Sequence, residues 1–247
     1  MPDPNTDRPQ PVESRSRQRA VRGIRWAAIG LVLYLAIAYV LVPLIWREAE
    51  GRHPALDTLP QIARTHDNIP GDPLNIALIG TEAAVSRSML AAGWHPADPL
   101  TLESCLRIGA DTVFHRPYDD APVSNLFVWG RKQDLAFEQP VGNDPRKRHH
   151  VRFWQSTEKD QQGRPLWIGG ATFDHKVGFS HTTGQITHHI SPEVDAERDK
   201  ILDDLKQAGA FSNVKWIDDF HKQLSGHNGG GDPWKTDGRL PVVTLNP

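Results

Sequence analysis

The feature that most constrains this chain is a stretch of 21 residues without a charge near its N-terminus, WAAIGLVLYLAIAYVLVPLIW. A helix of this length spans about 30 Å, the thickness of the hydrocarbon core of a bilayer. A tryptophan lies at each end, and amphipathic aromatic rings favour the headgroup level of a membrane. The sequence therefore predicts one transmembrane helix, which meets the lipid bilayer between Trp26 and Trp46.

Arginines on one side of this stretch predict its orientation. Six arginines precede it, and the residues that follow it carry a weaker cluster of mixed charge. By the positive-inside rule, the short N-terminus lies in the cytoplasm and the large C-terminal part lies on the other side. A cleaved signal peptide would have an apolar core of about 7–15 residues and a small-x-small cleavage site. The apolar run here is longer and VPLIWREAE offers no such site, so we favour an uncleaved signal anchor.

Charge and cysteine content exclude several classes of protein. The chain has a formal net charge of −2. Because six arginines lie before the anchor, the C-terminal part is more acidic than this value. Nucleic-acid binders need a basic surface, so we expect no nucleic-acid partner. The lone cysteine, Cys105, cannot form an intramolecular disulfide, and zinc or iron–sulfur sites built from several thiolates are excluded.

Composition divides the chain into five segments. A polar N-terminus (1–25), predicted to be disordered and cytoplasmic, precedes the signal-anchor helix (26–46). A proline-containing linker (47–72) follows the helix, and the soluble domain is assigned to residues 73–224. Residues 225–247 are rich in glycine and proline. We interpret them as a flexible C-terminal tail whose last residues could add an edge strand.

Periodicity within the soluble domain predicts an α+β fold. The predicted strands are 75–80, LFVWG, LAFEQ, 149–155, 166–179, 186–190 and NVKWID, and the predicted helices are 81–93, about 101–114 and 192–209. The order is β–α–α, then an antiparallel meander, then α–β. Such an order favours a mostly antiparallel sheet with helices packed on one face, preceded here by the transmembrane helix.

Several segments resemble one family of bacterial proteins. They are PLNIALIG, AAGWHPADPLTL, HRPY, GRKQDLAFEQPVG, RHHVRFW and, as the most specific, GGATFDHKVGFSHTTGQITHHISPEVDAERD. Over about residues 73–219 the chain resembles the LssY C-terminal-domain family. The resemblance implies a membrane-associated bacterial protein. Some members join this domain to a phosphatidic-acid-phosphatase-like membrane domain, and with one predicted span we expect this chain to lack that catalytic unit.

The resemblance supplies a location but no catalytic residues. Together with the predicted span and the arginines before it, the resemblance implies a single-pass protein of the bacterial inner (cell) membrane whose C-terminal domain is periplasmic or otherwise extracytoplasmic. Since no catalytic motif is apparent, we expect a binding or scaffold component of the cell envelope or of a secretion system. The expected partners are then other envelope or secretion proteins.

Histidines are concentrated in one part of the domain. Of 12 histidines, six lie between residues 149 and 189: His149, His150, His175, His181, His188 and His189. Neutral imidazole and carboxylate are the usual ligands of zinc and similar ions. Successive residues of a strand point to opposite faces. One histidine from each adjacent pair would therefore share a face if the two strands are near neighbours.

These histidines have two possible roles, in a metal site or in the structure of the sheet. The candidate ligands for a divalent metal such as zinc are His150, Asp174, His181, His189 and Asp195. In a metal-assisted hydrolase acting on an envelope phosphoester or related substrate, the candidate catalytic residues are His181, His189 and Asp174. The alternative is that the histidines are structural, because no zinc-type spacing such as His-Glu-x-x-His is present. Convergence of three or more of the five ligands in a pocket would favour the enzyme.

Overall fold

The fold is described from a computed structural model, which covers residues 13–41, 59–66, 68–97, 103, 126–142, 147–181 and 186–247. The chain forms two compact units, Met1–His53 and Pro54–Pro247. Each unit is described by itself.

Among the described residues of the N-terminal unit, Glu13–Ala36 form the helix α1, which continues as a π-helical turn at Ile37–Leu41. Its segment Val21–Leu41 is long and apolar enough to cross a membrane, with a mean hydropathy of 2.0, and none of it is buried. A membrane anchor and a signal sequence both satisfy this description. Residues 13–25, predicted to be disordered, belong to this helix, since arginine, glutamine and alanine favour helix. Residues 1–12 and 42–46 lie outside the described residues.

The C-terminal unit mixes strands with two helices in the part that the structure describes. The strands are β1 (Ile62–Arg64), β2 (Pro70–Pro73), β3 (Ile76–Ile79), β4 (His95–Pro96), β5 (Phe127–Val128), β6 (Arg131–Lys132), β7 (Leu135–Pro140), β8 (Arg148–Lys159), β9 (Pro165–Phe179), β10 (Ile186–Ile190), β11 (Phe211–Ile217), β12 (Ser225–His227), β13 (Pro233–Lys235) and β14 (Leu240–Leu245), and the helices are α2 (Glu82–Ala91) and α3 (Val194–Gln207). The predicted helix at 101–114 lies outside the described residues, except for Glu103.

An eight-stranded sheet dominates this unit. Its strand order is β11-β14-β3-β9-β8-β7-β4, and β10 also pairs with β9. Every pairing in it is antiparallel except that between β14 and β3, which is parallel. The antiparallel meander and the α+β class predicted from the sequence are therefore confirmed. The described residues also form a four-stranded sheet of order β2-β1-β5-β6 and the hairpin β12–β13.

Two hydrophobic cores lie on opposite faces of the large sheet, because successive side chains of a strand point in opposite directions. On one face, Val151 and Phe153 pack with buried residues of α2 and α3, including Leu205. On the other face, Trp154 packs with Phe220 and with residues of the small sheet. The two helices thus share one face, as the sequence predicts, while the small sheet covers the other.

The local signals around the first helix of this unit are also confirmed. The strand predicted at 75–80 is β3, and Thr81 caps the N-terminus of α2 by accepting a hydrogen bond from the amide of Ala84 at 3.2 Å. Gly93 has a φ of +80° just beyond the end of α2. A glycine adopts this left-handed conformation without the steric cost that a Cβ would add.

The prediction of a linker at 47–72 is wrong for its second half. Residues from Leu59 onward contribute β1 and β2, and Leu59 and Ala63 are buried in the second core. Two of the prolines that suggested a linker, Pro70 and Pro73, belong to β2, an edge strand of the small sheet. An edge strand tolerates proline, because the missing N–H is not needed for pairing. Residues 47–58 lie outside the described residues.

The prediction of a flexible tail at 225–247 is also wrong. These residues form β12, β13 and β14, and β14 lies inside the large sheet between β11 and β3. Leu240, Val243 and Leu245 are buried there. Four of the five glycines that suggested a tail lie in the connections between these strands, whereas Pro233 and Pro241 lie within β13 and β14. The rest of the run LPVVTL is apolar or β-branched, as is typical of a strand.

Candidate metal centre

The long strand β9 positions most of the histidines. Along one edge it pairs with β8, and along the other it pairs first with β3 and then with β10. Opposite β10 the ladder pairs His189 with Lys176 and Ile190 with Asp174, so His175 is an extra residue that forms a β-bulge. Bulges redirect side chains and are frequent beside functional sites.

Three side chains form the group that we term the His–His–Asp group: His181, His189 and Asp232. One potential ligand atom from each lies within 4.8 Å of those of the other two. His189 Nδ1 and Asp232 Oδ1 are 2.6 Å apart, and the ring centroids of His181 and His189 are 5.3 Å apart. His189 and Asp232 are buried, whereas His181 is exposed. Two imidazoles and a carboxylate make a ligand set that suits zinc.

The loop between β12 and β13 holds Asp232 in place. The Oδ1 of Asn228 accepts hydrogen bonds from the amides of Gly230 and Asp232, at 3.0 and 2.9 Å. The loop is also hydrogen-bonded to the chain around strands β9 and β10. The amide of Ile190 donates to Asp232 Oδ2 at 3.2 Å, and the amide of His181 donates to the carbonyl of Gly230 at 2.9 Å. The carboxylate therefore has a fixed position relative to both imidazoles.

A glycine makes room for the ring of His189. A Cβ at Gly178 would lie 2.8 Å from His189 Nε2 and 3.0 Å from its Cδ2. Real Cβ atoms do not approach other atoms so closely, so any other residue at 178 would force the ring to move. Glycine in a strand often marks such a close approach.

A second set of polar side chains, all buried except the partly exposed His188, lies beside this group, and we term it the buried charge cluster. Its members are Asp72, Arg148, His150, Arg152, Asp174 and His188. Arg148 is 2.9 Å from Glu138, 3.1 Å from His188 Nε2 and 3.4 Å from Asp174. Arg152 is 3.4 Å from Asp72, which also accepts a hydrogen bond from Asn228 at 3.2 Å. Asn228 therefore links the buried charge cluster to the loop that carries Asp232.

Burial shifts the protonation equilibria within this cluster. It raises the pKa of Asp174 to about 7, although Arg148 and Arg152 act in the opposite direction. It lowers the pKa of His188 to about 4, and together with the charge of Arg152 it holds the pKa of His150 well below its ordinary value. At neutral pH both histidines are therefore neutral, and the arginines supply the positive charge of the cluster.

The comparison with known proteins identifies the family of most of the C-terminal unit. The family model described as LssY C-terminus matches residues 56–240. The chain belongs to the LssY C-terminal-domain family. The match includes β1 and β2 and the loop that carries Asp232, so all three members of the His–His–Asp group lie inside the family domain. No curated protein and no solved structure matches the chain.

Of the five predicted metal ligands of this LssY-family domain, the structure brings two into the His–His–Asp group, His181 and His189. His150 and Asp174 lie in the buried charge cluster instead. Asp195 lies in the first turn of α3, where it accepts a hydrogen bond from the hydroxyl of Thr236 at 2.8 Å and pairs with Arg198 at 3.2 Å. His150, Asp174 and Asp195 therefore lie outside the group that His181 and His189 form with Asp232.

Asp232 is the functional candidate that the sequence analysis missed. It follows three glycines in a segment interpreted as a tail, and no spacing connects it to the histidines more than 40 residues earlier. The one sequence signal that could have pointed to Asp232 is the run Asn-Gly-Gly-Gly-Asp. Asn, Gly and Asp are typical of tight turns in which side chains bond the backbone, as Asn228 does here.

Proposed function

We propose that this chain is a single-span protein of the bacterial inner membrane whose extracytoplasmic LssY-family domain binds a divalent cation, zinc first, and acts as a binding or scaffold component of the cell envelope. The observation that carries the proposal is the His–His–Asp group, with its three ligand atoms within 4.8 Å of one another. The candidate span Val21–Leu41 and the arginines that precede or begin it support the location.

A cation at this position would join parts of the chain that are distant in sequence. His181 follows β9, His189 lies on β10, and Asp232 comes from the loop between β12 and β13. Metal binding to such a set stabilises the folded state, because the unfolded chain does not hold the three ligands together. A domain fixed in this way offers partners a rigid surface, which suits a scaffold.

Metal content tests the proposal directly. The full chain is purified in detergent with a tag that contains no histidine, incubated with zinc, freed of excess metal and analysed by mass spectrometry. We expect about one zinc per chain, reduced to background in Asp232→Ala. His227→Ala is the matched control, because His227 is an exposed histidine on β12 of the same hairpin. A wild-type chain without zinc, or equal zinc in Asp232→Ala, would contradict the proposal.

A second function, metal-assisted hydrolysis of an envelope phosphoester, is favoured by two observations. The His–His–Asp group offers three protein ligands, and catalytic zinc sites keep a fourth position for water. Arg148 and Arg152 place positive charge in the neighbouring cluster, and arginine is well suited to phosphate. Zinc-loaded chain is assayed on nitrophenyl phosphate mono- and diesters. Hydrolysis that disappears in His181→Ala would support the enzyme, and a zinc-loaded chain without activity would count against it.

A further inference from the structure

The loop that carries Asp232 also lies against the small sheet. A Cβ at Gly229 would be 3.1 Å from Thr65 Cγ2 and 3.3 Å from the carbonyl oxygen of Pro70. Thr65 follows β1 and Pro70 begins β2, so the loop packs on the turn that joins these two strands. Both distances are shorter than most real Cβ contacts, and a glycine at 229 permits this close approach.

A side chain of the small sheet extends this contact into the buried charge cluster. Asp72 on β2 is buried, and its two carboxylate oxygens have different partners. Oδ1 accepts a hydrogen bond from Asn228 Nδ2 at 3.2 Å, whereas Oδ2 lies 3.4 Å from Arg152 Nη1. Because Asp72 is buried, the loss of either partner would leave an oxygen without a replacement from water.

Asn228 connects Asp72 to the backbone of the metal ligand. Its Oδ1 accepts a hydrogen bond from the amide of Asp232 at 2.9 Å, and its own amide donates to the carbonyl of Asp232 at 2.9 Å. The nitrogen of an amide side chain can only donate and its oxygen can only accept. Donation to Asp72 therefore fixes the orientation in which Asn228 receives the amide of Asp232.

From these contacts we infer that Asp72 is a positioning residue of the cation site, which acts through Asn228 and couples cation binding to the small sheet. The inference rests on the proposed function, because it concerns the regulation of the same site. Residues that orient metal ligands typically change metal affinity by about 10–100-fold when they are replaced. Coupling acts in both directions, so a bound cation stabilises the turn between β1 and β2, and a partner that displaces this turn weakens cation binding.

Reversal of the hydrogen bond between residues 72 and 228 tests the coupling. Zinc affinity is measured by calorimetry on the full chain in detergent, first for wild type and Asn228→Asp. The substitution keeps an oxygen for the amide of Asp232 but turns a second oxygen towards Asp72, so we expect the affinity to fall at least about tenfold. An added negative charge by itself would raise the affinity for a cation. Asn213→Asp, at an exposed position on β11, is the matched control and should leave the affinity unchanged.

The double variant Asp72→Asn/Asn228→Asp should recover most of the lost affinity. It has the same total charge as the wild type, and the new amide at 72 donates to the new carboxylate at 228. The oxygen of that amide can still accept from Arg152. A general loss of stability would not be repaired by a second substitution at a buried position, so recovery is specific to the hydrogen bond.

Hydrogen exchange measures the coupling in the opposite direction and needs no substitution. The amides of Asn68 and Ile69 donate to Thr65 in the turn between β1 and β2. The amide of Ala97 donates to Ala136 beside β4, three strands away from β9 in the large sheet. Zinc should slow exchange in the turn by a larger factor than at Ala97, because only the turn contacts the loop that carries Asp232.

The outcomes separate this inference from the proposed function. Unchanged zinc affinity in Asn228→Asp, or no recovery in the double variant, would overturn the inference and leave the three-ligand site standing. If a variant does not fold, the exchange experiment decides, and equal slowing in the turn and at Ala97 would overturn the inference. A wild-type chain that binds no zinc would instead overturn the proposed function.

Discussion

His189 Nδ1 lies 2.6 Å from Asp232 Oδ1, and both side chains are buried although 42 residues separate them in sequence. The contact joins the edge strand β10 to a loop that is also held by its own Asn228 and by the amide of His181, which donates to the carbonyl of Gly230. Burial of a carboxylate is costly unless it is paired, so this contact contributes to the fold whether or not a cation is bound. Its role in stability and its role in metal binding can therefore be measured separately.

Asp232→Asn should destabilise the domain without zinc, and it should destabilise it more when zinc is present. With a chelator present, we expect the free energy of unfolding to fall by about 1–3 kcal/mol, because a buried charge-assisted hydrogen bond is weakened. With zinc present the difference should widen, since only the wild type gains stability from the cation. Urea unfolding followed by circular dichroism measures both values. Asp203→Asn, an exposed position on α3, is the control and should change neither. Equal differences with chelator and with zinc would argue against Asp232 as a ligand.

Gly178→Ala should weaken metal binding while leaving the fold intact. The new Cβ would lie 2.8 Å from His189 Nε2, so the ring has to move away from its ligand position. We expect zinc affinity, measured by calorimetry on the full chain in detergent, to fall at least about tenfold, as when a supporting residue of a metal site is changed. Gly80→Ala is the matched control, because its Cβ would make ordinary contacts at 3.4 Å. Equal affinities in the two variants would show that the ring does not need this space.

The sequence predicts the fold better where signals are local. Thr81 as a helix cap, the apolar run of β3 and the alternation of β8 each depend on a few adjacent residues, and the structure confirms them. The position of β14 depends instead on pairing with β3, more than 160 residues earlier. Composition does not show which strands β14 pairs with, so the sequence predicts a tail that could add an edge strand where the structure has a central strand.

The candidate site shows the same limit. His181 and His189 were identified because they are close in sequence within a histidine-rich segment. Asp174 was grouped with them for the same reason, but the large sheet directs it towards Arg148 instead. Asp232 joins the group only through the tertiary fold, and a single sequence holds no record of that contact.

Asp174 predicts a dependence of stability on pH. Its pKa in the folded chain is about 7 against an ordinary value of 3.8. Between these values the folded chain holds a proton that the unfolded chain has lost, so this contribution to stability falls as the pH rises. Asparagine does not ionise. From about pH 4 to about pH 8, the wild type should therefore lose stability relative to Asp174→Asn by at most about 4 kcal/mol.

Urea unfolding over this pH range measures the Asp174 effect. His188, whose pKa is lowered to about 4, gives the opposite trend as the pH rises towards its ordinary value of 6.5, but it is present in both proteins and largely cancels in the comparison. A pH-independent difference between wild type and Asp174→Asn would show that the carboxyl ionises normally in the folded chain.

The pair Arg152–Asp72 should be strongly coupled. Both side chains are buried, with 3.4 Å between Arg152 Nη1 and Asp72 Oδ2. Arg152→Met alone should cost about 3–5 kcal/mol, because it leaves a buried carboxylate without its cation. Adding Asp72→Asn should recover part of that loss, since the stranded charge is removed. A double-mutant cycle measured by urea unfolding gives the coupling, and additive losses would contradict the pairing.

Removal of residues 225–247 should abolish folding of the C-terminal unit, whereas loss of a flexible tail would be tolerated. The deletion removes β14 from between β3 and β11, together with the buried side chains of Leu240, Val243 and Leu245. The interior strand β3 would then expose one pairing edge, and the edge strand β11 would lose the strand with which it pairs. We expect loss of the cooperative thermal transition in circular dichroism and rapid cleavage by protease. Deletion of the exposed Pro247 alone is the control and should leave both unchanged. A truncated chain that still melts cooperatively at the wild-type temperature would show that β14 is dispensable.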